Sequence, residues 1–515
     1  VEGRNEELGV IICADSPPTH LSFTFQISEE RDVKVGEYVE VPAGNYIIVG
    51  RITEVRAYNE YFKSPTFIKD HMLRQLPVTA RFPAHIGRWR VAEVRIVGMF
   101  ENNRLHPPNI APEPGERVYR IDQRLLSRLL GLCEDGAFMG TMYGNENIRV
   151  TLDIDKLVMM HIAVFGATGT GKSYTVGVLV EELLEHGYPV VIIDPHGEYF
   201  TLQMKNDNPN EISILRKLGL EPRAFPTRIL SPAYRGTGEL TIRFDSLSVD
   251  ALAEICNLTP TMNDLLYIAM RALRDRGVSK IGPDVLLKEL RRQAMEWGFS
   301  SKTQVSLARR ISILKEIGIF GDGVDPAEVV RPGTATIIDV SGEMEEHVRR
   351  TFVGAFLNEL FEARRKGIIP PLLVVVEESH RFAPQEEETF SKSVLRKIAR
   401  EGRKFGIGLC ITSQRVVGLD KDVISQCGTK IILRIDSRTD LDYIRPYIPA
   451  EDFQRIPYLP TGTATITGVA VRHSILAEIR PRKSKHGGIL SVIESKQRWQ
   501  QQANEGRRNR LHEFM

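Results

Sequence analysis

Leu21, Phe23, Phe25 and Ile27 alternate with Ser22, Thr24 and Gln26, a period of two that predicts a strand with one buried and one wet face. β-branched runs follow at 38–41, 46–55 and 91–97, separated by turn formers such as Pro42-Ala43-Gly44-Asn45. Short strands at this spacing suit a small barrel, so residues 1–105 are read as a β-barrel serving binding or assembly. Residues 106–145 are dense in turn formers, from Pro107-Pro108-Asn109 to Pro112-Glu113-Pro114-Gly115-Glu116. They are expected to be a linker with one short helix at 123–132.

Beyond 146 the period changes. Short apolar runs of buried-strand type at 161–165, 189–193, 334–340, 371–376 and 406–411 alternate with stretches whose apolar residues recur every three or four positions. Val176, Leu179, Val180, Leu183 and Leu184 are one such stripe. Strand and helix in alternation predict an α/β fold on a parallel sheet, which runs at 429–435 and 463–469 fill out. Between 244 and 319 the strands stop, and the segments 264–273, 284–295 and 305–317 each pair an apolar stripe with basic residues. The expected layout is an α/β core in two parts, 146–243 and 323–486, interrupted by a helical insert at 244–322. A polar arm at 487–515 follows; it holds Trp499, ends in Arg507-Arg508-Asn509-Arg510, and is expected to order only against a partner. In the insert, Arg271, Arg274, Lys280, Arg291, Arg292, Arg309 and Arg310 suit nucleic acid or, alternatively, a solvated helix face.

A chain of 515 residues has room for about three domains. Its 42% hydrophobic and 26% charged residues are those of an ordinary globular protein. No apolar run approaches the roughly 18 residues of a membrane span and no signal-peptide core opens the chain, so no membrane contact and a cytoplasmic location are expected. Cys13, Cys133, Cys256, Cys410 and Cys427 show no metal-ligand spacing, and their odd number argues against a paired disulfide framework. A net charge of +2 leaves nucleic acid open, because a nearly neutral chain can gather its positive charge on one surface.

The chemistry centres on Gly166-Ala167-Thr168-Gly169-Thr170-Gly171-Lys172-Ser173, a full phosphate-loop match lying between a predicted strand and a predicted helix. Backbone N–H groups of such a loop, through Tyr174, converge on a point where they solvate a triphosphate, here ATP. Lys172 is expected to reach its β- and γ-phosphates and Ser173 to hold Mg²⁺. The run 371–376 feeds Glu377-Glu378-Ser379-His380-Arg381: Glu377 is the candidate for the metal shell and Glu378 for the base that polarises water. Asp339 rivals the metal role but lacks a second carboxylate beside it. Asp194, at the end of a strand, is a further site candidate, with a turn-forming role before Pro195 as the alternative. Gln414 follows 406–411 at the same sheet edge and is read as a sensor of the γ-phosphate or the lytic water, a cap being the alternative. Arg403 or Arg400, then Arg415, are candidates for a cation reaching a neighbouring subunit's transition state, against the plainer reading of surface charges at a helix end. Together these features predict a RecA-like ATP hydrolase.

The phosphate loop, the block Asp194-Pro195-His196-Gly197-Glu198-Tyr199, the block Glu377-Glu378-Ser379-His380-Arg381-Phe382 and Thr412-Ser413-Gln414-Arg415 together resemble the HerA family of hexameric DNA translocases. The resemblance extends to the N-terminal barrel. It implies a homohexameric ring that pumps duplex DNA through its channel and acts with the nuclease NurA and the Mre11 and Rad50 proteins in resecting DNA ends for recombinational repair. It places the family's ATP-site roles on Lys172, Ser173, Asp194, Glu378 and Gln414, with Arg403 as the finger toward a neighbour. Glu377 departs from the commoner Asp at the metal-side position. A coupling ATPase of conjugation or secretion, and a nucleotide-dependent scaffold with little turnover, are the alternatives. The lack of a membrane-spanning run weakens the former, and the paired carboxylates weaken the latter.

Overall fold

The computed structural model describes residues 6–13, 16–59, 69, 87–102, 104–236, 238–278 and 280–487. The chain forms two compact units, 1–131 and 132–515. The expected arm beyond 487 lies outside the described residues.

The first unit is all antiparallel. Its strands are Glu7–Ile12 (β1), Ser22–Ile27 (β2), Tyr38–Ala43 (β3), Tyr46–Asn59 (β4), Arg88–Glu101 (β5), Arg104–His106 (β6) and Arg117–Arg120 (β7). They run in the order β2-β1-β7-β3-β4-β5-β6, and β5 pairs back onto β2, so six strands close a barrel and β6 trails at its rim. Closure works because β4 and β5 are 14 residues each, and irregularities in their pairing at Val49/Gly50 and Ile52/Glu54 add local twist. Phe23, Phe25, Val39, Val41, Ile48, Ile52 and Val94 fill the interior. The ring is complete only with β7, which pairs with both β1 and β3. Residues 106–145 are therefore not a linker. Their first half supplies a barrel strand and the helix Gln123–Leu130, and their second half enters the other unit. Four strand residues among so many turn formers leave too short a period to read.

The second unit is built on eleven strands: Ala137–Met142 (β8), Asn145–Leu152 (β9), Ile162–Phe165 (β10), Val190–Asp194 (β11), Thr227–Leu230 (β12), Ala335–Asp339 (β13), Leu372–Val376 (β14), Ile407–Ser413 (β15), Thr429–Ile432 (β16), Thr463–Gly468 (β17) and Ile475–Ile479 (β18). Their order is β12-β13-β11-β14-β15-β10-β16-β17-β18-β8-β9. The segment from β12 to β16 is parallel and the four strands beyond it are antiparallel. In the parallel part nearly every strand residue is buried, as expected of a sheet covered on both faces. The helices Val249–Ile255, Pro260–Asp275, Pro283–Glu296 and Ser301–Ile317 occupy the chain between β12 and β13, packing Leu265, Leu266, Leu290, Leu307 and Ile311 inward. Arg310 of this group is committed to the carbonyls of Cys256 and Asn257, whereas Arg274, Arg291, Arg292 and Arg309 are exposed.

The helix Lys172–Glu185 carries two buried acids, Glu181 and Glu182, that its apolar pattern does not explain. The segment after β18 does. Arg480 meets Glu181 at 3.0 Å and Glu182 at 2.6 Å, and Lys483 meets Glu182 at 3.0 Å. Fully buried charges persist only when paired in this way, and deleting one partner costs about 3–5 kcal/mol. The strap thus fixes the helix that the phosphate loop leads into.

Candidate ATP hydrolysis site

β10 ends at Phe165 and the chain turns through the phosphate loop into the helix beginning at Lys172. Gly169 (φ 76°) and Gly171 (φ 102°) adopt the left-handed conformation that costs glycine little, and a Cβ on Gly166 would come within 2.7 Å of the Thr170 hydroxyl. The loop is braced from outside: Ala167 N–H donates to Arg434 O at 2.8 Å, and Gly462 N–H to Thr170 O at 3.3 Å. The first N–H groups of the helix have no partner within it, so they point out of the loop as anion donors. Tyr174 presents only this backbone group there. Its side chain turns away, donating to Glu211 at 2.9 Å and accepting from Arg482 N–H at 2.9 Å. The hydroxyl-bearing Ser173 is half-buried beside Lys172.

Strand order decides which carboxylates can reach this loop. β15 is the direct neighbour of β10 and β14 is the second, so the residues following β14 start about 10 Å away at one strand spacing of about 4.8 Å per step. β11 and β13 are the third and fourth, at about 14 and 19 Å. Asp339 thus stands farthest, and its Oδ1 is taken by the Ser341 N–H and hydroxyl at 3.0 and 2.6 Å.

Asp194 is bound up with the turn that follows it. Its Oδ1 accepts the N–H groups of His196 (3.1 Å) and Gly197 (2.8 Å), and its Oδ2 that of Tyr199 (3.0 Å). Burial raises its pKa against those three bonds. Both oxygens are occupied in folding the turn, as its turn-forming alternative expects. What the turn positions is Tyr199, fully buried, whose hydroxyl donates to Glu377 Oε1. Thr412, in β15, donates to Glu377 Oε2. Neither hydroxyl was singled out from the sequence; the only signal was a tyrosine closing a strand-end block.

Glu377 is therefore buried with an oxygen on each hydroxyl, and burial lifts its pKa to about 7 in spite of them. Glu378 is set differently. It sits in the left-handed region (φ 49°, ψ 47°), an unusual and mildly costly conformation for a glutamate. Its Oε2 is buried without a hydrogen bond, and burial raises its pKa while Lys172 lowers it. Across from it, the Lys172 ammonium makes one long contact among the described residues, 3.4 Å to Ala167 O. Burial depresses its pKa, and Glu378, Glu377 and Glu198 push back. A buried ammonium and a buried carboxylate oxygen, each short of partners, are what an absent polyphosphate and an absent water would complete. The donor set, one hydroxyl and carboxylates, likewise suits a hard divalent cation such as Mg²⁺.

Gln414 follows directly on β15, and its Oε1 accepts from the Thr168 hydroxyl at 2.5 Å. Lys172, Glu377, Glu378 and Gln414 are thus gathered on one sheet edge, whereas Arg403 is not. It is exposed at the last turn of the helix Phe390–Phe405, beside the start of β15, with the seven residues of that strand, about 20 Å, between it and the loop. Arg400 is paired with Asp422 at 2.9 Å, and Arg415 stands exposed next to Gln414.

The family model described as "Helicase HerA, central domain" matches residues 137–360, and that of the "HAS barrel domain" matches residues 15–99. The chain is 28% identical to the DNA double-strand break repair helicase HerA of Pyrococcus furiosus over 90% of this chain and 91% of the other. It is 29% identical to the protein of that name from Saccharolobus solfataricus, over 88% and 89%. Among solved structures, VirB4 of Thermoanaerobacter pseudethanolicus aligns with a TM-score of 0.49 at 16% identity, covering 67% of this chain and 97% of that one. Among the described residues no helix is long and apolar enough to cross a membrane. With a closed barrel, a sheet that sets β15 between β10 and β14, and relatives alike over nine-tenths of their length, the chain is similar to the HerA helicases along most of its length and matches their central domain at 137–360.

Proposed function

We propose that the protein is an ATP-driven motor that moves DNA, with Glu378 as the base that activates the lytic water. The observation that carries this reading is the pair formed by Glu378 Oε2, buried and unpartnered, and the Lys172 ammonium facing it from the phosphate loop. Lys172 and the loop N–H groups bind and orient the β- and γ-phosphates. Ser173 and Glu377 would hold Mg²⁺, which when bound neutralises phosphate charge; the hydroxyls of Tyr199 and Thr412 fix the Glu377 carboxylate for that task. Glu378 takes the proton of the attacking water, and Gln414 reads the γ-phosphate from the strand beside the loop. Arg403, remote from its own site, supplies its cation to a neighbouring copy.

The likeness to the HerA helicases extends the proposal to a homohexamer around duplex DNA, acting with a NurA-type nuclease, Mre11 and Rad50 in end resection. The barrel would be the nuclease's docking platform and the arm beyond 487 a brace on an adjacent subunit. The test is ATP hydrolysis by the full chain with and without duplex DNA across a salt series. Stimulation by DNA that weakens steeply with salt is expected, because Lys and Arg contacts to phosphate release counterions. Hydrolysis indifferent to DNA at every salt concentration would contradict the motor reading.

A further inference from the structure

Three consecutive residues at the end of β15 each hold a different part of the site. Thr412 donates to Glu377 and accepts the Glu378 N–H at 3.2 Å, and Gln414 accepts from Thr168 of the phosphate loop. The middle residue, Ser413, lies 3.1 Å from Nδ1 of His380. The Ser413 hydroxyl donates to Arg415 O at 2.9 Å and accepts the Arg415 N–H at 3.1 Å. Its hydrogen is therefore already placed, so the hydrogen of the contact with His380 belongs to Nδ1. The same Nδ1 stands 3.3 Å from Glu378 Oε2, the buried oxygen without a hydrogen bond. One N–H thus faces two acceptors separated by 0.2 Å in distance, and serves Ser413.

We propose that His380 is a positioning residue for Glu378, whose Nδ1–H passes between Ser413 Oγ and Glu378 Oε2 and so ties the readiness of the base to the strand end bearing Gln414. This rests on the reading of Glu378 as the base. With the hydrogen on Ser413, Glu378 Oε2 is untethered and free to turn toward the water. With it on Glu378, the carboxylate is held in place by the imidazole and turned from the water. The 413–415 turn sets the choice, because its two bonds to Arg415 aim Ser413 Oγ, and the residue between them is the one that touches the loop. Loss of the Thr168–Gln414 contact on phosphate binding would reach His380 through a single neighbouring residue.

The test uses full-length protein with duplex DNA and measures kcat, KM for ATP, ATP affinity and melting temperature for His380→Ala, His380→Asn, Ser413→Ala and the double variant, with Glu378→Gln as reference. Asn places an amide N–H about where imidazole Nδ1 lies. We expect His380→Ala to lower kcat about tenfold or more, the scale set by small misplacements of catalytic groups, with KM and affinity within about threefold. His380→Asn should recover most of that loss. Adding Ser413→Ala to His380→Ala should lower kcat no further, because residues acting through one contact are non-additive. Wild-type kcat in His380→Ala, or His380→Asn as slow as His380→Ala at intact ATP affinity and melting, would overturn the role of His380 alone. Glu378→Gln at wild-type rate would overturn the base assignment and this proposal with it.

Discussion

The Thr168 hydroxyl donates to Gln414 Oε1 at 2.5 Å, joining the tip of the phosphate loop to the end of the strand beside it. On the reading of Gln414 as a sensor of the γ-phosphate, this bond yields when ATP binds. Gln414→Ala is predicted to lower kcat about tenfold while changing ATP affinity by less than about threefold, as expected for a group acting on the transferring phosphate. Steady-state hydrolysis beside nucleotide binding separates the two. A weakened affinity at unchanged kcat would make Gln414 a mere support of the loop.

Tyr199→Phe removes one hydroxyl from a buried carboxylate and nothing else. An acceptor left unsatisfied in the interior costs about 1–3 kcal/mol, so the variant should melt measurably lower and need more Mg²⁺ for half-maximal hydrolysis. An unchanged Mg²⁺ requirement would separate Tyr199 from the metal function of Glu377. Asp194→Asn, which spoils the turn that presents Tyr199, should show the same two effects.

Glu377 gives a pH signature. Its pKa is raised from the ordinary 4.5 to about 7 by burial, so the folded protein keeps a proton that the unfolded chain has released. The sign follows: this share of stability is fully present below about pH 4.5 and is lost as pH rises through about 7, for a total of about 3 kcal/mol. Urea unfolding of nucleotide-free protein at pH 5 and pH 8 should show wild type losing stability relative to Glu377→Gln by that order, the shares of Asp194 and Glu378 being common to both. A gap independent of pH would mean that Glu377 is charged throughout.

Much of this site was legible in the chain, for a physical reason. The phosphate loop and the Glu377-Glu378 pair are contiguous, and strand periodicity alone assigns them to one sheet edge. Strand β7 and the hairpin β8–β9 were not legible, because short strands amid prolines and glycines carry too few residues to show a period. The three backbone N–H groups on the Asp194 oxygens leave no trace in the sequence, where a strand-end aspartate before proline reads as either a site group or a turn former. Tyr199, Thr412 and the strap from Arg480 to Lys483 were missed because their partners lie 178, 35 and about 300 residues away in sequence.

The position of Arg403 makes a separate prediction. Exposed and about 20 Å from its own loop, it cannot assist the ATP bound to its own chain. Arg403→Ala should be inactive alone. Mixed with Lys172→Ala, it should regain part of the wild-type rate, because some junctions then pair an intact loop with an intact arginine. Assembled mixtures that stay inactive at every ratio would remove Arg403 from that role.

The most direct measurement is DNA-stimulated ATP hydrolysis by wild type and Glu378→Gln, read alongside ATP binding. The account predicts that Glu378→Gln binds ATP with wild-type affinity and loses turnover by about 10²-fold or more. Turnover by Glu378→Gln at the wild-type rate, with ATP bound as tightly, would contradict it.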